Sequence, residues 1–313
     1  MTMIEIRNLT KVYGGTTAVD GLTVTVRPGR VTGFLGPNGA GKSTTMRAVV
    51  GLDRPTSGEV QVAGRRYADH PAPLREVGAL LDANAAHPGR SALAHLRALA
   101  VTNGIGRARV DEVVDMVGLR QVADRRVGGF SLGMAQRLGI AAALLGDPAV
   151  ILLDEPVNGL DPDGIRWIRG LLRGLAAEGR TVFVSSHLMS EMALTADHLV
   201  ILGRGRLIAD VSMEEMTASA TGQVTVRSPQ ADDLARRLSA DGAAITRPEP
   251  DVLAVTGRTN TQIAETALAA RILLTELVPV HASLEDAYLA MTAHDTQYRA
   301  TTPATTDPGR AAA

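Results

Sequence analysis

Residues 36–44 read Gly36-Pro37-Asn38-Gly39-Ala40-Gly41-Lys42-Ser43-Thr44 and fit the pattern G-x-x-x-x-G-K-[ST]. The β-type run of residues 30–35 precedes this stretch, and the helix-like run of residues 44–52 follows it. Glycines let such a loop turn its backbone N–H groups towards phosphate oxygens, and the helix that follows directs the positive end of its dipole at the same point. The stretch therefore predicts a phosphate-binding P-loop between a strand and a helix.

Two side chains of this loop add chemistry that the backbone lacks. Lys42 is placed to reach the β- and γ-phosphates of a nucleotide, and the Ser43 hydroxyl is a ligand for Mg²⁺. A glycine-rich turn with a surface lysine would be the alternative, but the flanking strand and helix match the context of a P-loop. We therefore predict a nucleotide site that also takes Mg²⁺.

The composition narrows the classes of protein to consider. The 313 residues suffice for one large or two modest domains, and the formal net charge of −1 provides no basic field for nucleic acid. Cysteine is absent from the sequence, which excludes disulfides, thiolate zinc sites and cysteine nucleophiles. The longest apolar stretch, residues 138–146, is about half as long as a membrane span. Any role at a membrane is therefore expected to depend on a partner.

Strand patterns flank the P-loop on both sides. Residues 4–9 alternate apolar and polar side chains, residues 22–27 form a second run closed by Pro28-Gly29, and residues 59–63 form a third. Because only one long helix interrupts these strands, we predict an antiparallel β subdomain beside the nucleotide-binding core.

Residues 83–146 have a helical pattern instead. Ser91 is predicted to N-cap the first helix, and residues 107–117 repeat the pattern up to a glycine. Ser131 precedes a third, strongly apolar helix over residues 132–145. The whole segment is predicted to be a helical insertion.

The parallel core is expected to resume at residues 149–153, an unbroken apolar run typical of a strand buried on both faces. Asp154 and Glu155 follow it directly, and His187 follows the next predicted strand, residues 181–185. Ligands of open α/β sheets bind beyond the carboxyl ends of the strands, so all three side chains should face the P-loop. Asp154 is then placed to hold Mg²⁺, and Glu155 is placed to polarise an attacking water.

The composition changes towards the end of the chain. Residues 217–222 are rich in small and polar side chains and are interpreted as a linker, which divides the chain into a domain over residues 1–217 and a second over residues 218–293. The second domain is predicted to be a small α+β unit, since its elements follow the β-α-β-β-α-β order of a ferredoxin-type fold.

Two further predictions concern the C-terminal segment. Ser283 and Asp286 have the spacing of a capping box and predict a last helix. Residues 294–313 are rich in Thr, Pro and Ala and are predicted to be disordered.

More motifs complete an ordered series. The strand end Leu152–Pro156 is a Walker B pattern followed at once by a glutamate, residues 158–162 read Asn-Gly-Leu-Asp-Pro, and residues 185–187 read Ser-Ser-His. Upstream of them, residues 130–137 read Phe-Ser-Leu-Gly-Met-Ala-Gln-Arg. Together with the P-loop, this series over residues 1–215 resembles the ATP-binding subunits of ABC transporters. The resemblance implies an α/β fold with a P-loop NTPase core, the antiparallel β subdomain and the helical insertion.

The resemblance also implies ATP and Mg²⁺ as ligands and gives roles to single residues. Tyr13 would stack on the adenine, and His187 would contact the γ-phosphate. Ser131 and Gly133 lie in the segment that binds the ATP of a second subunit, and Asp161 belongs to the loop that crosses between subunits.

Two positions depart from the family pattern. Met134 stands where the signature usually has glutamine, although Ser131 still offers a hydroxyl at a helix N-terminus. Asp82 also stands where the family usually has glutamine; it can approach Mg²⁺ but cannot donate a hydrogen bond when ionised. Both variants, with residues 283–289, resemble the branch that exports antibiotics and peptides, such as the cassettes of daunorubicin and bacitracin exporters.

The resemblance implies a cytoplasmic ATPase subunit on the inner face of the cell membrane, where it powers a separate integral-membrane permease. Two copies would pair head to tail with two ATP molecules at their interface, and the movement would reach the permease through residues 82–105. The exported substrate would be a drug, an antibiotic or a peptide. No nucleic-acid partner is expected.

Two other functions fit the sequence less well. A soluble ABC-type protein acting on ribosomes or DNA would carry two cassettes in one chain or long coiled coils, and the sequence has neither. A regulatory protein that binds ATP without turnover is disfavoured by the presence of Glu155 and His187.

Overall fold

Three β-sheets and the helices packed on them form the part of the chain that the computed structural model describes, residues 3–220, 223–280 and 288. The strands are β1 (Ile4–Tyr13), β2 (Thr16–Val26), β3 (Arg30–Leu35), β4 (Ser57–Val62), β5 (Val77–Leu80), β6 (Val150–Leu153), β7 (Thr181–Ser186), β8 (His198–Gly203), β9 (Arg206–Ser212), β10 (Gln223–Arg227), β11 (Ala244–Glu249), β12 (Val252–Thr256) and β13 (Glu276–Val280). The helices are α1 (Lys42–Val49), α2 (Pro73–Glu76), α3 (Ala92–Thr102), α4 (Arg107–Met116), α5 (Leu132–Leu144), α6 (Pro162–Ala177), α7 (Met189–Ala193), α8 (Met213–Ala220), α9 (Ala231–Ala240) and α10 (Asn260–Ala269).

The largest sheet has the order β5-β6-β7-β3-β8-β9 and is parallel up to β8, with β9 antiparallel at its edge. Every residue of β6 and β7 is buried, as expected for strands covered on both faces. The rings of Phe34 on β3 and Phe183 on β7 lie 4.9 Å apart between centroids. This sheet brings the ends of β3, β6 and β7 to one edge, where the P-loop and the residues after Leu153 and Ser186 meet.

The antiparallel β subdomain is present as predicted, with strand order β2-β1-β4. Its apolar face shares one core cluster with α1 and with one face of the parallel sheet; members include Ile4, Val24, Met46 and Leu152. The strands are longer than the sequence pattern indicated, because β1 and β2 stay paired as far as Tyr13 and Thr16. Tyr13 is thereby fixed at the end of a strand.

The helical segment consists of α3, α4 and α5, and Ser91 caps α3 by accepting a hydrogen bond from Ala94 N, 3.2 Å away. Helix α5 is not separate from the parallel core, as the predicted insertion would suggest, because it packs directly on β5. A Cβ at Gly78 would lie 1.9 Å from the carbonyl oxygen of Ala143, and one at Gly139 would lie 2.5 Å from Leu80 Cδ1. These two glycines allow α5 to join the core of the parallel sheet.

The C-terminal unit has the predicted β-α-β-β-α-β order and forms an antiparallel sheet, β11-β12-β10-β13, with α9 and α10. Leu234 on α9 and Ile263 on α10 are fully buried against the apolar residues of β10 and β12. Thr259 and Gln262 form a capping box at the start of α10, a signal that the sequence interpretation does not use.

The predicted linker at residues 217–222 is wrong over its first four residues, which belong to α8. Alanine favours helices, and Met216 on this helix is fully buried in the core of the first unit, so packing decides the structure there. Residues 188–212, for which no element is predicted from the sequence, contain α7 and the hairpin of β8 and β9. The predicted capping box at Ser283 and the predicted disordered tail lie outside the described residues.

Within the described ranges, no helix has both the length and the apolar character needed to cross a membrane.

Candidate active site

The P-loop connects β3 to α1 in a space that admits only glycine at two positions. A Cβ at Gly36 would lie 2.6 Å from the carbonyl oxygen of Leu202, and one at Gly41 would lie 2.4 Å from that of Ala18. Gly41 also has a φ of 100° and is the N-cap of α1, so no side chain covers the first N–H groups of this helix. These N–H groups form an anion site of the kind that phosphates occupy.

The other loop residues differ in their exposure. Asn38, Gly39 and Ser43 are exposed, whereas Ala40 is buried and donates its N–H to the carbonyl oxygen of Pro37 at 3.1 Å. The exposed hydroxyl of Ser43 therefore lies at the surface at the start of α1, next to half-buried Thr44.

Lys42 is buried and points back into the loop. Its Nζ donates hydrogen bonds to the carbonyl oxygens of Gly36 at 2.6 Å and Pro37 at 3.3 Å, and it lies 3.7 Å from Glu155 Oε1. Burial lowers the pKa of Lys42, and the charges of Glu155 and Asp154 oppose that shift. The nearby carboxylates thus help the ammonium to stay charged in a largely dry site.

Glu155 is the centre of the site. Its Oε2 lies 2.9 Å from His187 Nδ1, while its Oε1 faces Lys42. Lys42 and His187, which are predicted to contact the phosphates and come from two other segments, therefore both approach the Glu155 carboxylate. Glu155 has a φ of 49°, in the left-handed region that residues other than glycine rarely adopt. Such backbone strain is found preferentially at functional sites.

Asp154 is held by a residue that the sequence interpretation leaves without a role. The Ser185 hydroxyl, at the end of β7, donates to Asp154 Oδ1 and accepts a hydrogen bond from Glu155 N at 2.9 Å. The sequence signal that could have predicted this contact is a serine near the end of the strand next to the Walker B strand. Ser185 thus fixes both acidic residues relative to the neighbouring strand.

The residues present fit a magnesium site of the P-loop type. Such sites use a hydroxyl and one or two carboxylates, and the substrate phosphates complete the coordination. Ser43 is exposed at the start of α1, and Asp154 follows β6, which is separated from the P-loop strand β3 by β7 alone. Over the part of the chain that the structure describes, no group of three or more His, Cys, Asp or Glu side chains could hold a metal without a nucleotide.

Asp82, the third predicted metal ligand, makes a local contact instead. Its Oδ1 accepts a hydrogen bond from Asn84 N at 2.8 Å, just after β5. It lines a cavity of about 380 Å³ together with Arg47, His95 and Leu138. The role of Asp82 in metal binding stays a prediction.

Tyr13, at the end of β1, presents a ring that is 45% exposed. Its hydroxyl donates to Asp53 Oδ2 at 2.6 Å, and the Lys11 ammonium lies 4.7 Å from the ring centroid. Arg47 also binds Asp53, with Nε 2.7 Å from Oδ2. The ring is therefore held by its hydroxyl while much of its surface remains accessible for stacking.

The predicted contacts to a second subunit form a separate group. Ser131 caps α5 by accepting from Met134 N at 3.2 Å, and Asp161 caps α6 by accepting from Gly164 N at 2.8 Å. A Cβ at Gly133 would lie 2.7 Å from the carbonyl oxygen of Gly159, so the first turn of α5 packs tightly on the loop before α6. These residues lie close together at the starts of α5 and α6. They do not contact the P-loop of their own chain in any of these hydrogen bonds.

A buried amide was also missed from sequence. Gln136 on α5 is 4% exposed, and its Nε2 donates to the carbonyl oxygen of Glu155 at 3.1 Å. Its position two residues after Met134 in the signature segment was the only sequence signal.

Comparison with known proteins agrees with this geometry. The model of the ABC transporter family matches residues 19–158, and a domain of unknown function matches residues 222–285. The uncharacterized ABC transporter ATP-binding protein YhcH of Bacillus subtilis (strain 168) is 38% identical over 304 residues, covering 93% of this chain and 96% of that protein. The bacitracin transport ATP-binding protein BcrA of Bacillus licheniformis is 41% identical over 218 residues, covering 69% of this chain and 71% of that protein.

A solved structure shows the same fold. It is a dimeric ATP-binding cassette in a post-hydrolysis state bound to ADP and Pi; it is 26% identical, with a TM-score of 0.62, covering 67% of this chain and 98% of that one. The P-loop, the acidic strand end and these relatives lead to one conclusion. This chain belongs to the family of ATP-binding subunits of ABC transporters, which are ATPases.

Proposed function

We propose that this chain is the ATP-hydrolysing subunit of an exporter and that it acts as a homodimer with a separate membrane permease. The observation that carries the proposal is that Lys42 of the P-loop and His187 both lie next to the carboxylate of Glu155. The similarity to a bacitracin transport ATP-binding protein supports export of an antibiotic or peptide. The site of action would be the cytoplasmic face of the membrane.

The hydrolytic roles follow from the chemistry of the three side chains. Lys42 and the first N–H groups of α1 bind the β- and γ-phosphates. Glu155 accepts a proton from the water whose oxygen attacks the γ-phosphorus, and the bond to the leaving ADP oxygen breaks. His187 orients the Glu155 carboxylate and would contact the γ-phosphoryl group. Mg²⁺ held by Ser43 and Asp154 would supply positive charge to the phosphate oxygens.

The dimer is proposed because the signature residues have no role at their own P-loop. Ser131, Gly133 and Asp161 lie together at the starts of α5 and α6. In a head-to-tail pair, these helix starts would bind the ATP held by the partner's P-loop. The dimeric cassette among the solved relatives supports this arrangement.

The contact with the permease is proposed at the cavity of about 380 Å³ that adjoins Asp82. Its walls come from both α5 and the β5 end, so a partner element bound there would sense movement between the helical segment and the core. Asp82 would then link this cavity to the nucleotide site. Replacing it with alanine should spare ATP binding and weaken stimulation of the ATPase by the permease.

The experiment pairs the chain with the membrane protein encoded beside its gene. Both are reconstituted in liposomes, and ATP hydrolysis is compared with that of the chain alone and of Lys42→Ala with the permease. We expect the permease to bind the chain and stimulate turnover, with Lys42→Ala inactive in both settings. Turnover that neither depends on Lys42 nor responds to the permease would overturn the proposal.

A further inference from the structure

We infer that Gln136 is a positioning residue for Glu155, because its amide on α5 holds the Glu155 peptide and thereby aims the carboxylate. The inference rests on the proposed role of Glu155 as the general base. Gln136 lies in the second turn of α5, is almost fully buried and donates from Nε2 to the Glu155 carbonyl oxygen at 3.1 Å.

The Glu155 peptide needs such support. Its φ of 49° is costly for a residue with a side chain, so the surrounding contacts must hold it there. Ser185 Oγ accepts from Glu155 N at 2.9 Å, and Asn158 N donates to Glu155 O at 3.2 Å from within the same turn. Gln136 adds a contact from helix α5, which is remote in sequence from both of these segments. The direction of the Glu155 side chain is therefore set from both β7 and α5.

Packing alone does not explain an amide at position 136. Within the described residues, Gln136 Oε1 is buried and has no hydrogen-bond partner. A buried polar atom left unpaired destabilises a fold, and an apolar side chain of similar length would avoid that cost. The carbonyl oxygen of Glu155 only accepts hydrogen bonds, so the Nε2 end must face it. The hydrogen bond to Glu155 is therefore the reason for an amide at this position.

Helix α5 is suited to hold that bond in place. Its residues Leu138 and Ile140, which follow Gln136, are buried in the main core cluster, and Ala135, which precedes it, is also buried. Ser131 caps the start of the same helix. A side chain anchored on so well packed a helix has little freedom to shift.

The test removes the donor and keeps the length of the side chain, in Gln136→Met. Since misplacement of a catalytic group by about 1 Å can cost on the order of 10²-fold, we expect kcat for ATP hydrolysis to fall at least about tenfold. The Kd for ATP should change less than about twofold, because Gln136 does not touch the P-loop. The matched control is Ile140→Val, which disturbs the packing of α5 without touching Glu155 and should keep kcat.

A double-mutant cycle separates positioning from general damage. In the Glu155→Gln background, Gln136→Met should change the residual turnover less than about twofold, since the carboxylate that it positions is gone. Gln136→Leu, which is also apolar and lacks a donor, should repeat both results and serves if the methionine variant does not fold. Wild-type kcat in a folded Gln136 variant, or an equal loss in both backgrounds, would overturn the inference alone. Full turnover of Glu155→Gln would overturn the proposed function and the inference with it.

Discussion

His187 Nδ1 lies 2.9 Å from Oε2 of Glu155, while the other oxygen of the same carboxylate lies 3.7 Å from Lys42 Nζ. The carboxylate therefore stands between the two groups that are expected to contact the γ-phosphate. ATP binding would replace these carboxylate contacts with phosphate contacts, because an anion of higher charge competes for the same donors. Glu155 would then be released to accept the proton of the attacking water.

Lys42→Ala tests the cation of the P-loop. A charge-assisted hydrogen bond contributes about 1.5–3 kcal/mol, so ATP affinity should fall roughly 10- to 150-fold, and turnover should fall further. Calorimetric titration gives the affinity, and phosphate release gives the turnover. Thermal unfolding checks that the variant is folded. An ATPase rate within a fewfold of wild type would exclude this P-loop as the working site.

Tyr13 tests adenine stacking with a matched pair of substitutions. Tyr13→Phe keeps the ring and loses the hydrogen bonds of the hydroxyl, such as the one to Asp53, so it should bind ATP about as tightly as wild type. Tyr13→Ala loses the ring, and stacking on a base is worth about 1–3 kcal/mol, which predicts roughly 5- to 150-fold weaker binding. Equal ATP affinity of the two variants, measured by calorimetry, would remove Tyr13 from the site.

His95 on α3 should make the helical segment sensitive to acid. Burial, with a smaller contribution from the charge of Arg90, lowers the pKa of His95 below its usual value. A histidine with a lowered pKa contributes stability above its unfolded pKa of about 6.5 and loses it as the pH falls through the folded value. The urea midpoint of wild type should therefore drop more between pH 7 and pH 5 than that of His95→Gln. Identical drops in the two proteins would contradict this.

Tyr288 lies in the core of the first unit. It is 6% exposed and packs in the main core cluster of the nucleotide-binding unit, although it follows the C-terminal unit in sequence. Burial, with a further contribution from the charge of Glu155, raises the pKa of Tyr288 to about 12. Replacing a buried aromatic residue with alanine costs about 3–5 kcal/mol, so Tyr288→Ala should unfold at clearly lower urea.

The control for Tyr288 is Leu268→Ala, since Leu268 on α10 is 79% exposed. A chain cut after Ala220 should show a loss similar to that of Tyr288→Ala. A cut at the predicted domain boundary, after Thr217, would lie inside α8 and would also remove Tyr288. A truncated chain as stable as wild type would contradict the packing role of Tyr288.

The predictable part of the site depends on local sequence. The P-loop needs only the spacing of Gly36, Gly41 and Lys42, and parallel strands bring their carboxyl ends to one edge, which places Asp154 and His187 nearby. No local sequence pattern predicts the hydrogen bonds that join distant segments, from Ser185 to Asp154 and from Gln136 to Glu155. These bonds depend on how α5 and β7 pack, which a single sequence does not encode in its periodicity.

The same limit explains the main error in the fold. Residues 217–220 read Thr-Ala-Ser-Ala, which suits a linker or a helix equally well by composition. The burial of Met216 against the first unit selects the helix. The close packing of α5 on β5 likewise requires Gly78 and Gly139. The need for glycine at these positions cannot be recognised until the two elements are known to be in contact.

The central claim is that Glu155 is the general base of an ATP-driven subunit, and Glu155→Gln tests it directly. The amide keeps the shape of the side chain but cannot accept the proton, so turnover should fall by roughly two orders of magnitude or more. Binding of Mg²⁺-ATP should stay about normal, and the loss of a negative charge near the γ-phosphate should prolong the ATP-bound state. Glu178→Gln, an exposed change at the end of α6, is the control and should keep full turnover.

The decisive measurement is made on purified Glu155→Gln with ATP and with ADP, combining phosphate release with light scattering. We expect almost no phosphate release, normal ATP binding, and a dimer with ATP but not with ADP. Phosphate release at the rate of wild type, with ATP bound, would show that Glu155 is not the base and would contradict the account. A variant that binds ATP, is inactive and stays monomeric would contradict assembly of the dimer by this subunit alone.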